Sequence, residues 1–142
     1  MVIPFPGGPE PEDVNQPRAL PAPLTVGEGR LEVKLVTIAQ GRDLLVQVTG
    51  GEAHVGAVAV GYGADCVIPS SGIELMTLPG HKEGPLALAA ARRLAEAAGC
   101  TVAVVAGIHQ DGITAEEIAG ILRNVEKAVE TLALSLHEWR GT

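Results

Sequence analysis

Thr101-Val102-Ala103-Val104-Val105-Ala106-Gly107-Ile108-His109-Gln110-Asp111-Gly112-Ile113-Thr114-Ala115-Glu116-Glu117 is the stretch that decides the fold. Its first six residues are apolar almost throughout, which predicts a strand covered on both faces and therefore interior to a sheet. Gly107 to Gly112 reads as a junction. Thr114-Ala115-Glu116-Glu117 then forms a capping box, in which hydroxyl and carboxylate satisfy exposed N–H groups at a helix start. Ile118, Ile121, Leu122, Val125, Val129, Leu132 and Leu136 follow at steps of three and four, marking one apolar face of a long helix. From Thr114 to about Leu136 it spans more than roughly 30 Å. That is long for a domain of this size, and part of its apolar face is expected to meet a second copy, giving a homodimer.

Toward the N-terminus, Leu86, Ala89, Ala90, Arg93, Leu94 and Ala97 space an alanine-rich helix, with Pro85 near its first turn and Gly99 just past its end. Ile73 to Leu78 predicts a strand, and residues 64 to 72, with Pro69, a loop. His54 to Gly63 predicts a strand apolar on both faces and rich in small residues, as in a central strand with something packed close on each side. Leu31, Val33, Leu35 and Ile38 and then Leu44 to Thr49 flank the turn Gln40-Gly41-Arg42, a hairpin; Gly50-Gly51-Glu52-Ala53 is a further turn. The order ββββαβα predicts an α+β fold, mainly an antiparallel sheet with two helices on one side. Seven of the ten prolines fall between Pro4 and Pro23, so residues 1–27 are expected to form a flexible leader and residues 28–142 a single domain.

With 142 residues and 46% hydrophobic content but one Phe, one Trp and one Tyr, the core must be aliphatic. A net charge of -7 without a Lys/Arg cluster excludes a nucleic-acid binder of the ordinary kind. No apolar run approaches membrane-spanning length. Cys66 and Cys100 lack metal-type spacing and read as core thiols of a reducing, cytoplasmic protein.

Three of the four histidines lie in separate glycine-marked junctions: Gly51-Glu52-Ala53-His54-Val55-Gly56, Gly80-His81-Lys82-Glu83-Gly84-Pro85 and Gly107-Ile108-His109-Gln110-Asp111-Gly112. Glycine allows sharp turns and close approach, and histidine is donor, acceptor or metal ligand near neutral pH, so the repetition points to one composite site. The N–H groups after Gly80, with Lys82 beside them at a helix start, suit a phosphate or carboxylate; a plain glycine turn facing solvent fits the same residues. Asp111 either fixes a histidine tautomer or bonds its own backbone in a turn. Gly56 bares the backbone beside His54, for a flat ligand or for a packed helix. His137, near the end of the last helix, has no site role. No nucleophile elbow, His-Glu-x-x-His helix or cysteine cluster is present, so no catalytic residue is assigned.

These segments, above all Gly50 to Val58, Leu78 to Ala87 and Val105 to Thr114, resemble the LpdD-like family of small proteins over roughly residues 30 to 135. Members accompany UbiD-type decarboxylases, including gallate and hydroxybenzoate decarboxylases, as chaperones for prenylated flavin mononucleotide. The resemblance implies a proteasome-assembly-chaperone-like fold arranged as a dimer. It also implies a non-catalytic protein that binds prenylated FMN, with FMN as a weaker analogue, shields it and delivers it to an apo-decarboxylase. Position in the motifs carries cofactor-binding roles to His54, Gly56, Gly80, His81, Lys82, Glu83, Gly107, His109 and Asp111. With so few aromatics, the ring would rest on aliphatic and glycine surfaces.

Two other readings compete. His54, His81 and His109 converging on zinc would make a metal-binding protein or hydrolase, which stoichiometric zinc in protein purified without added metal would favour. A protein assembly factor with no small-molecule ligand would show no flavin affinity.

Overall fold

The structure is a computed structural model, and it describes residues 19–62 and 73–141. Strand β1 (Leu24–Val26) and a short 3-10 turn (Gly29–Leu31) precede the hairpin β2 (Val33–Gln40) and β3 (Asp43–Gly51). Then come β4 (Ala57–Gly61), β5 (Ile73–Thr77), α1 (Gly84–Ala98), β6 (Val102–His109) and α2 (Ala115–Arg140). The fold is α+β, and the expected order recurs with β1 added in front. Most of the proline-rich leader, the loop over 64–72 and Cys66 lie outside the described residues.

Four of the five strand pairings are antiparallel, and the sheet order is β1-β2-β3-β6-β4-β5. The exception is β3 with β6, which run parallel from Leu44↔Val102 to Gly51↔His109. That register carries β6 three residues beyond the predicted strand end at Ala106, since the β3 backbone still offers partners there. The wholly apolar strand is central, as its composition predicts. β1 corrects the proposed leader boundary: residues 24–26 pair with Leu35, Lys34 and Val33, and Leu24 and Val26 pack against the core. Three residues after a run of prolines are too few to show a period. β4 starts at Ala57 rather than at His54, so His54 stands ahead of the strand.

Val33, Leu35, Val46, Val48, Val102 and Val104 of the sheet are buried together with Leu94 of α1 and Leu132 and Leu136 of α2. Small residues let α1 lie close. A Cβ at Gly61 would meet the backbone carbonyl of Ala91, and Ala87, Ala91 and Ala95 are buried along the same helix. The expectation of close packing on each side of β4 therefore holds for the α1 side. On the far side of the sheet Val58, Val60, Val105, Ala103, Leu45 and Val36 are only half-buried.

The α2 face proposed as the dimer surface is used within the chain: Ile121, Val125, Val129, Leu132 and Leu136 are buried against the sheet and α1. Ile118, Leu122 and Leu134 stay exposed. Cys100 packs, partly buried, against the core. Among the described residues no helix is long and apolar enough to cross a membrane.

Candidate functional site

The parallel strands β3 and β6 end side by side at Gly51 and His109, and the first turns of α1 and α2 reach the same end of the sheet. A cavity of about 760 Å³ opens there. Its polar side carries Glu52, His54, His81, Lys82, Glu83 and His109. Its apolar side is built by Pro85 and Leu86 from α1, Ile108 from β6, Ile113 from the loop ahead of α2, and Ile118 and Leu122 from α2. The volume lies within the usual range for small-molecule pockets, which pair an apolar lining with a few convergent polar groups. Crevices beyond the carboxyl ends of parallel strands are common ligand positions, and two helix N-termini add a favourable potential for an anion.

His54 and His81 meet. His54 Nε2 is 3.1 Å from His81 Nδ1 and 2.9 Å from Glu83 Oε1, and the rings lie 4.9 Å apart. The other nitrogen of His54, Nδ1, donates to the Glu52 carbonyl at 3.1 Å. Glu83 also receives the Lys82 N–H at 3.0 Å and the Ile108 N–H at 3.4 Å. Burial pushes its carboxyl up, yet the main-chain N–H groups and the His54 ring outweigh that and hold its pKa below the ordinary carboxylate value. Glycines make this packing possible: a Cβ on Gly56 would collide with the Glu83 carboxylate, and one on Gly107 with the His54 carbonyl.

His109 sits 6.4 Å from the His54 ring, edge-on, and its Nε2 pairs with Asp111 Oδ1 at 2.9 Å. The loop carrying both is tied down by Arg30, which donates to the Asp111 carbonyl at 2.6 Å and to Glu117 at 2.8 Å. Gln110 donates back to the Arg30 carbonyl. The capping box is complete, with Glu117 N–H bonded to Thr114 Oγ1 and Thr114 N–H to Glu117 Oε1.

A family model described as the prenylated flavin chaperone LpdD-like domain matches residues 27–137. The chain belongs to this family. No match was found among curated proteins.

Of the nine positions inferred from the LpdD-like motifs, His54, Gly80, His81, Lys82, Glu83 and His109 line the cavity. Gly56 and Gly107 instead stand behind it and make room for Glu83 and His54. Asp111 is almost fully exposed and orients His109. Two expected phosphate donors are already engaged, because the His81 N–H bonds to the Leu78 carbonyl and the Lys82 N–H to Glu83. Among the described residues lining the cavity, the positively charged side chain is the exposed Lys82. The three-histidine set does not form: Glu83 takes the third place and His109 stands apart with Asp111.

The apolar wall was not assigned from sequence. Ile118 and Leu122 read simply as part of the long helix's apolar face; they are 44% and 46% exposed and line the cavity. Their position in the first two turns of α2, next to the capped end, was the available signal. The residues present fit a flavin in kind, with aliphatic side chains for a ring face, histidines for a polar edge and a lysine for a phosphate.

Proposed function

We propose that this LpdD-like protein is a non-catalytic cytoplasmic chaperone that binds prenylated FMN in the cavity at the ends of β3 and β6. It shields the cofactor and delivers it to a UbiD-type decarboxylase. The observation carrying this reading is that the exposed apolar residues at the start of α2 face the histidine cluster across one cavity of ligand size. An apolar wall facing a polar edge suits a ring system with one hydrogen-bonding rim and one alkylated, hydrophobic side. His54, His81, Lys82, Glu83, His109 and Gly80 would contact the ligand, and Gly56, Gly107 and Asp111 would hold those side chains in place. We also propose that two copies pair through the open face of the sheet.

Anaerobic spectral titration with FMN and with prenylated FMN tests the reading. The prenylated form should bind more tightly, and Lys82→Ala should weaken both by about tenfold, equivalent to roughly 1.4 kcal/mol. Leu122→Glu, which places a charge on the apolar wall, should weaken the prenylated form more than FMN. Loaded protein mixed with an apo-decarboxylase of the UbiD type should restore decarboxylation faster than the same amount of free cofactor. Absence of binding by either flavin would favour a protein-docking role instead.

A further inference from the structure

The donors and acceptors around His54 do not balance with a neutral ring. The Glu52 carbonyl can only accept, so His54 Nδ1 carries the hydrogen, and Nε2 of the neutral ring presents a lone pair. That lone pair faces Glu83 Oε1 at 2.9 Å. Glu83 is itself an acceptor, since it takes the Lys82 and Ile108 N–H groups. His81 Nδ1 completes the triangle at 3.1 Å from His54 Nε2, with 3.6 Å to Glu83 Oε2. A positive species belongs between them. One proton on Nε2 would serve mainly one of the two neighbours, whereas a metal ion would serve all three atoms.

We propose that His54 Nε2, His81 Nδ1 and the Glu83 carboxylate form a site for one divalent transition-metal ion of the zinc class. Three ligands bonded at about 2.0–2.1 Å with tetrahedral angles stand roughly 3.3 Å apart, and the observed separations bracket that spacing. Two imidazoles and one carboxylate form a ligand set that leaves positions open in catalytic zinc and non-haem iron sites. The outer contacts match as well: a ligating histidine usually donates its other N–H to a carbonyl and a ligating carboxylate is itself hydrogen-bonded, as His54 and Glu83 are here. The side chains are 25%, 33% and 12% exposed, so the ion can enter from the cavity that all three line. The remaining coordination positions open on that cavity and accept an anionic oxygen, for which two nearby backbone N–H groups are no longer free. The metal site stands on the three side chains alone; its use in holding the phosphate end of a flavin rests on the function proposed above.

The full chain, stripped with a chelator, is titrated with Co2+ and followed by visible absorption, then challenged with Zn2+. A ligand-field band saturating at one equivalent per chain and displaced by one equivalent of Zn2+ is expected. His81→Ala, checked for folding by circular dichroism, should weaken Zn2+ binding by roughly 100-fold, because a direct ligand matters at least as much as the outer contacts that cost 10–100-fold. His137→Ala, far along α2, should not change it. No saturable band with the wild type, or equal losses in His81→Ala and His137→Ala, would overturn the site.

Inorganic phosphate added to the Co2+ protein should shift the band, and FMN should bind more tightly with Zn2+ than without. Flavin binding that ignores the metal would overturn the phosphate role while leaving the ligand set in place. Metal binding without any flavin binding would instead count against the chaperone reading alone.

Discussion

A Cβ on Gly107 would run into the His54 carbonyl, and one on Gly56 into the Glu83 carboxylate. Both glycines are buried, so the neighbour must move. Gly107→Ala should therefore destabilise the protein by about 1–3 kcal/mol, the usual range for overpacking, read as a lower urea midpoint. It should also displace His54 from His81 and weaken ligand binding more than Gly80→Ala, because Gly80 has open space around it and only its positive φ of 78° to lose. An unchanged midpoint in Gly107→Ala would contradict the packing described. At this scale the meeting of His54 and His81 was legible, because histidine recurs beside glycine in separate junctions and such junctions gather at strand ends. The exclusion of His109 was not. It depends on Asp111 lying two residues away at hydrogen-bonding distance, while Glu83 reaches His54 across a space that only the absent side chain of Gly56 leaves free.

The start of α2 couples two elements distant in sequence, because Glu117 caps the helix and also holds Arg30 from the 3-10 turn. Removing the Thr114 hydroxyl leaves an N–H of the first turn without its acceptor, so Thr114→Ala should cost about 1 kcal/mol and lower the melting temperature by a few degrees. The Arg30 hydrogen bond, followed by the Thr114 N–H, holds the Glu117 carboxyl below its ordinary value of 4.5. A carboxyl depressed in the folded state stabilises above the unfolded pKa, and that contribution disappears as pH falls through the folded value. Glu117→Gln should therefore melt below the wild type at pH 7, and the two should converge at strongly acidic pH. A constant gap at all pH values would show that charge is not the cause. The capping box was plain in the sequence since all its partners lie within four residues. Arg30 and the strand Leu24–Val26 were not, because their partners, Glu117, Asp111 and β2, are supplied by the tertiary fold.

Among the described residues, both helices pack on one face of the sheet and no element covers the other. A row on that bare face runs Val36, Gln47, Val105, Val58 and Met76 across five strands, and Ile38, Leu45, Ala103 and Val60 form the next row. The alternation marked Val33 and Leu35 as the inward residues of β2, which they are, but a strand apolar on both faces reads the same whether its second cover is a helix or another copy. Single proteins rarely leave a broad apolar sheet face to water, and a two-fold pairing would cover it with the same surface from a second chain. Val105 lies at the middle of the row, so a charge there would meet its own copy near the axis. Light scattering coupled to size exclusion should give a dimer mass for the wild type and a monomer mass for Val105→Glu; a monomeric wild type at micromolar concentration would refute the pairing. The cavity opens on the helix side of the same sheet, built from residues of one chain. The monomeric variant should therefore keep its flavin affinity within about twofold, a difference of roughly 0.4 kcal/mol, with one ligand per chain. Loss of binding on monomerisation would instead mean that the second copy completes the site.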